Sequence, residues 1–166
     1  MPKDLSKDPS LAVYDVEAAA RRAYQGLHYY PDNPAYVTQG KLERYPAPRK
    51  VRVAATRGED QEIEAVGTLH FALAGTSASL EAYSAEPGTR KLFVIFRDKT
   101  CGKPGQSYGA GRYLYATEAA DGSVLLDFNR AWNPLCAYSP FFHCPVPPRS
   151  NWIPFPIPAG EKTYHE

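Results

Sequence analysis

The sequence has few cysteines, no surplus of charge of either sign and no long hydrophobic run, and each shortage removes a class of protein. A membrane-spanning helix needs about eighteen consecutive apolar residues, and no such run occurs, so no membrane partner is expected. The opening residues, Met1-Pro2-Lys3-Asp4-Leu5-Ser6-Lys7-Asp8, are charged and lack the apolar stretch of a secretion signal. A cytoplasmic chain, or one already trimmed of a leader, is the expectation. Lysine and arginine number 19 against 18 acidic residues, and the basic residues are scattered rather than gathered into a stripe. Nucleic-acid binding therefore has no electrostatic footprint. Three cysteines, Cys101, Cys136 and Cys144, are an odd number and do not suggest a disulfide framework, although one bridge between Cys136 and Cys144 stays open where the compartment oxidises.

The chain is instead rich in proline and tyrosine, sixteen and twelve in 166 residues, a length that suits one domain. Proline cannot donate a backbone hydrogen bond, so the proline-rich stretches are loops or extended edges. Apolar residues mixed with helix formers predict a helix over residues 13–25, ending at Gly26. An aromatic, proline-punctuated loop follows over residues 28–36. The period then changes from 3.6 to 2. Short runs of β-branched and aromatic residues predict strands over 49–56, 66–73, 79–84, 91–97, 112–117 and 123–128, separated by Gly75, Pro87-Gly88, the 102–105 glycine–proline turn and Asp121-Gly122. Six such strands with no helix between them predict an antiparallel meander forming a small barrel or sandwich, with a β-rich region over about 49–130. Residues 134–162 read as an extended strap across the sheet, because Trp152, Phe155 and Ile157 need an apolar surface.

Chemistry concentrates in residues 96–148. Asp98 and Asp127 each follow an apolar run, which places both carboxylates at strand ends, and Arg112 opens the strand between them. A guanidinium is the natural partner of a carboxylate, so the three form either a structural ion-pair cluster or the polar part of a small-molecule pocket walled by Phe96, Tyr113, Phe128 and Trp132. Asp98, Thr100, Tyr108, Arg112, Asp127, Asn129 and Asn133 are the candidate ligand-binding set, and an anionic or carbonyl-bearing ligand suits Arg112. The rival readings are an enzyme using Asp98 or Asp127 as acid or base, or Cys136 as nucleophile, and a purely structural module. Tyr108-Gly109-Ala110-Gly111 precedes a strand rather than joining a strand to a helix, so it is not a dinucleotide fingerprint, and no redox or nucleotide cofactor is indicated. Cys136, His143 and Cys144 are weak metal candidates, because their spacing matches no usual zinc knuckle.

Four segments go further than composition. They are Phe96-x-Asp98-x-Thr100; Tyr108-Gly109-Ala110-Gly111-Arg112-Tyr113-Leu114; Leu126-Asp127-Phe128-Asn129-Arg130-Ala131-x-Asn133-Pro134-x-Cys136-Ala137-Tyr138-Ser139-Pro140; and Cys144-Pro145-x-Pro147-Pro148. Together they resemble the bacterial and archaeal domain-of-unknown-function family 1684, a resemblance that spans most of the chain from Gly26 to Lys162. It implies a shared polar set of Asp98, Thr100, Tyr108, Arg112, Asp127, Asn129, Arg130, Asn133, Cys136, Cys144 and Asn151, without roles, since the family has no established activity. Trp132, Leu135, Cys101 and His143 depart from the family pattern.

Overall fold

A computed structural model of the chain describes Asp15 and residues 17–164. Part of the helix expected over 13–25 lies outside the described residues; within them it shrinks to one turn, α1 (Ala19–Arg22). Two physical reasons account for this. The residue before it, Ala18, has no side chain to cap the turn, and the apolar residues meant to bury its face, Tyr24 and Leu27, are exposed. A helix without a buried face gains too little from propensity alone to persist over so few residues.

Six antiparallel strands make the body of the fold: β1 (Val37–Val53), β2 (Gln61–Leu73), β3 (Thr76–Ser84), β4 (Lys91–Phe96), β5 (Arg112–Thr117) and β6 (Ser123–Asp127). Their order in the sheet is β5-β4-β3-β2-β1-β6. The two outer strands, β5 and β6, come together at the Ala119–Gly122 turn, where Glu118 pairs with Val124 and the Ala119 amide donates to the Ser123 carbonyl at 2.8 Å. The sheet thereby nearly closes into a barrel.

The strand β1 is far longer than expected and bends. Its first half pairs with β6 and with the end of β2, and the register then jumps between Arg44 and Arg49. The Tyr45-Pro46-Ala47-Pro48 excursion creates that jump, as prolines at a bulge do. Beyond it the Tyr45 hydroxyl and the Arg49 guanidinium both donate to the Glu81 carboxylate on β3. Part of the outer face of the sheet is consequently covered as well as the inner one, while Tyr115 and Leu125 stay exposed on it. Leu69, Leu80, Leu92, Val94, Phe96, Leu114, Leu126 and Phe128 fill the barrel interior. On the outer face Ile95, Tyr83, Tyr113, Val53 and Cys144 form a second cluster beneath the bent end of β1 and the proline-rich tail.

At the end of the barrel opposite the β5–β6 turn those two strands diverge, and the chain fills the gap with its own later residues. Trp132 exchanges two backbone hydrogen bonds with Tyr113, and Glu161 donates to the Ala131 carbonyl. Gly160, at φ +76, must be glycine, because a Cβ there would sit 2.6 Å from the Ala131 carbonyl oxygen. The strap runs along the end of β4: Ile153 donates to Arg97, Lys99 to Phe155 and Tyr30 to Gly160. Ile153 and Ile157 are buried by it, while Trp152 lies on the surface against Arg97 and Arg149.

Candidate functional site

Phe96 and Arg112 are register partners on neighbouring strands, so Asp98 and Arg112 emerge side by side at one barrel end. Both side chains are fully buried, and Arg112 Nη2 donates to Asp98 Oδ2 at 2.8 Å. The rest of the guanidinium serves the strap: Nη2 donates to the Ile157 carbonyl at 2.8 Å and Nη1 to the carbonyls of Ala159 and Glu161. Among the described residues its Nε has no hydrogen-bond partner. Asp98 Oδ1 accepts from the amides of Thr100 and Ile157 and from the Thr100 hydroxyl. That hydroxyl also lies 2.6 Å from the Ser107 hydroxyl, which is 3.4 Å from the Tyr30 hydroxyl. A polar chain therefore leads from the buried pair to Tyr30. Cys101 sits on the same carboxylate, its thiol pushed up to about 11 by burial and then by the Asp98 charge.

Asp127 does not join them. Because β5 and β6 diverge here, its carboxylate instead accepts from the amide and side chain of Asn129 and lies 3.5 Å from Arg130 Nε. Asn129 pairs with the backbone of Asn33 like a piece of strand, accepting from its amide and donating to its carbonyl, each at 3.0 Å. The four expected pocket walls also separate, since Phe96 and Phe128 pack edge to face inside the barrel whereas Tyr113 and Trp132 do so on the outer face.

Asn133 is buried and holds the C-terminal segment. Its amide donates to Glu161 Oε2 at 3.0 Å, and its Nδ2 donates to Glu161 Oε1 and, at 2.7 Å, to the Lys162 carbonyl. The Tyr138 hydroxyl donates to the same Glu161 carboxylate, and burial together with that bond raises its pKa. Asn151, equally buried, bonds to Glu81 on β3 and Ile95 on β4.

The cysteine segment is a separate cluster. Cys136 N–H donates to Cys144 Sγ at 3.3 Å, and the Tyr108 hydroxyl is pushed up to about 12 by burial and then by the neighbouring Cys136. His143 turns away to pack its ring against Gly58. Among the described residues no group of three His, Cys, Asp or Glu side chains is placed to hold a metal ion.

A separate opening lies where residues 28–30 pair with 160–162: Tyr29 bridges Glu161, and Lys162 donates to the His28 carbonyl. Between this ribbon, α1 and Gly105 is a cleft of about 810 Å³ lined by His28, Tyr29, Lys162, Thr163 and Tyr164 among others. A second depression of about 420 Å³ shares Gly105 and Thr163 with it and adds Lys103, Ser107 and Gly109. No carboxylate lines either one among the described residues.

The family model described as protein of unknown function, DUF1684, matches residues 22–162. The chain belongs to this family. Among solved structures, it is similar to the solution NMR structure of an uncharacterised protein of Haloarcula marismortui, at 39% identity and a TM-score of 0.70, with 88% of this chain and 80% of that one covered. A search of curated proteins finds no match. Within the DUF1684 match, the motif residues thus serve several distinct sets of contacts, not one. Lys103 carries no motif signal in the sequence, and Lys162 is marked only by its adjacency to Gly160-Glu161 in the family-like tail. No helix among the described residues is long and apolar enough to cross a membrane.

Proposed function

We propose that the domain binds a small anionic molecule in the cleft between the 28–30 ribbon, the 102–109 turn and residues 162–164. The observation that carries this reading is the lining: two lysines and a histidine around connected openings, with no carboxylate among the described lining residues. The volume falls within the roughly 300–1,000 Å³ usual for small-molecule sites. Lys162 would supply a point charge, and Asn133 fixes the backbone that bears it. Thr100 and Ser107 would present the end of the polar chain that begins at Asp98 and Arg112, so those residues support the floor of the site rather than grip the ligand. Tyr108 flanks the same turn, while Asp127 and Asn129 brace the barrel end.

The test is a thermal-shift screen of the full chain with carboxylates, sugar phosphates and inorganic phosphate. A bound anion at about a hundred times its Kd stabilises by about 2.7 kcal/mol, a rise of roughly 5 °C or more at this chain length. Lys162→Glu and Lys103→Glu should each abolish the rise without changing the circular dichroism of the unliganded protein. A rise that survives both charge reversals, or none with any anion, overturns the assignment.

A further inference from the structure

We infer that Cys136 and Cys144 form a redox-active dithiol, attacked by a two-electron oxidant of the peroxide class at Cys136 and closed by Cys144 into an intramolecular disulfide. The case rests on placement. Cys144 is buried in the outer-face cluster and pinned to the end of β1: its amide donates to Thr56 Oγ1, its carbonyl accepts from the Thr56 amide at 3.0 Å, and Pro145 bridges Ala55. Cys136 stands in a separate helical turn, Leu135–Ala137, where it is half-buried. Two independently anchored segments thus bring the cysteines together, with the Cys136 amide on Cys144 Sγ at 3.3 Å. All three cysteines are free thiols. Residues 140–143, between the pair, are exposed, Phe141 at 89%, so that part of the connecting loop can yield to the small movement that a bond requires.

Exposure assigns the order of events. Cys136 is half-buried whereas Cys144 is buried, so an oxidant arriving from solvent meets Cys136 first. Its attack on the peroxide oxygen yields the Cys136 sulfenic acid and releases one water, the proton coming from the thiol. Cys144, whose own thiol is pushed up by burial, then attacks the oxidised sulfur and expels the second water. Two thiols are oxidised to one disulfide and the peroxide is reduced to two waters. Cys101 takes no part, buried against Asp98 with its thiol far from ionisation at neutral pH.

The experiment treats the reduced full chain with hydrogen peroxide, then alkylates it and maps the peptides by mass. The expected result is loss of two of three titratable thiols, a mass lower by two hydrogens and one cross-link joining Cys136 to Cys144, all reversed by dithiothreitol. Cross-linking should run at least about tenfold faster in the native protein than in urea, because folding raises the effective concentration of one sulfur at the other. Cys144→Ser should leave a sulfenic acid on Cys136 that dimedone traps, and Cys136→Ser should leave Cys144 reduced. Three thiols still titratable after peroxide, oxidation centred on Cys101, or equal rates in urea would each overturn the inference.

Discussion

Arg112 illustrates how far a single side chain can be committed to holding a fold. Its charge is sealed from solvent together with that of Asp98, and three backbone carbonyls of the strap accept from its two terminal nitrogens. Removing one member of a buried pair strands the other, which costs about 3–5 kcal/mol, whereas removing both charges together is far milder. Arg112→Met should therefore lower the urea-unfolding free energy by about 4 kcal/mol, and Asp98→Asn by somewhat less, because the amide can still accept from Thr100 and Ile157. The double variant should be more stable than the sum of the two losses implies. Additivity in equilibrium urea titrations would show that the pair is not energetically coupled.

Among the elements, β3 and β4 pair through only two residues on each strand, Tyr83 with Phe93 and Ser84 with Leu92, and then separate. Asn151 fills the breach. Its Oδ1 accepts from the Glu81 amide, and its Nδ2 donates to the carbonyls of Glu81 and Ile95, so one side chain from the strap stitches both strands. Asn151→Ala should destabilise the protein by about 3 kcal/mol, since buried backbone groups lose their partner on both strands. The Glu81 amide should also exchange its hydrogen faster than other amides of β3. Unchanged exchange at Glu81 would mean that another group satisfies it. Such a bond joins residues 70 positions apart, and this distance explains what the sequence could and could not convey. The strands β4, β5 and β6 were legible because each is a short apolar or alternating run bounded by turn residues. The first half of β1 was not, because its inward positions include Gly40, where a Cβ would lie 2.9 Å from the His70 carbonyl, and its bend falls at Pro46 and Pro48. For the site, the Asp98–Arg112 pairing was readable from two adjacent strand ends. The departure of Asp127 was not, since it depends on how β5 and β6 splay, and the cleft depends on the meeting of residues 28–30 with 160–162.

At the scale of the molecule, one barrel end is closed by the β5–β6 turn and by Arg44, whose guanidinium grips the buried Glu118 carboxylate, and the other by the strap. Between them the part of the outer face beneath the bent end of β1 and the tail is sealed over phenols. Tyr83 is held up by burial and then by Glu81, and Tyr113, which donates to the Pro145 carbonyl at 2.6 Å, by burial and then by Cys144. A phenol whose pKa is raised on folding binds its proton more tightly in the native state than in the unfolded one. Its contribution to stability is therefore whole below the unfolded value, about 10, and is lost as pH rises from there toward the native value. Each of the two tyrosines should steepen the fall by up to about 1.4 kcal/mol per pH unit in that window. In a series of urea titrations, stability should thus decline above pH ~10, and the phenolate absorbance of the sealed tyrosines should appear together with unfolding rather than ahead of it. Tyr113→Phe gives up one hydrogen bond near neutrality but removes one of the two titrating groups, so its stability should fall less steeply than that of the parent above pH ~10. An equal slope in both proteins would mean that Tyr113 ionises freely in the folded state, and that the strap does not seal that part of the outer face.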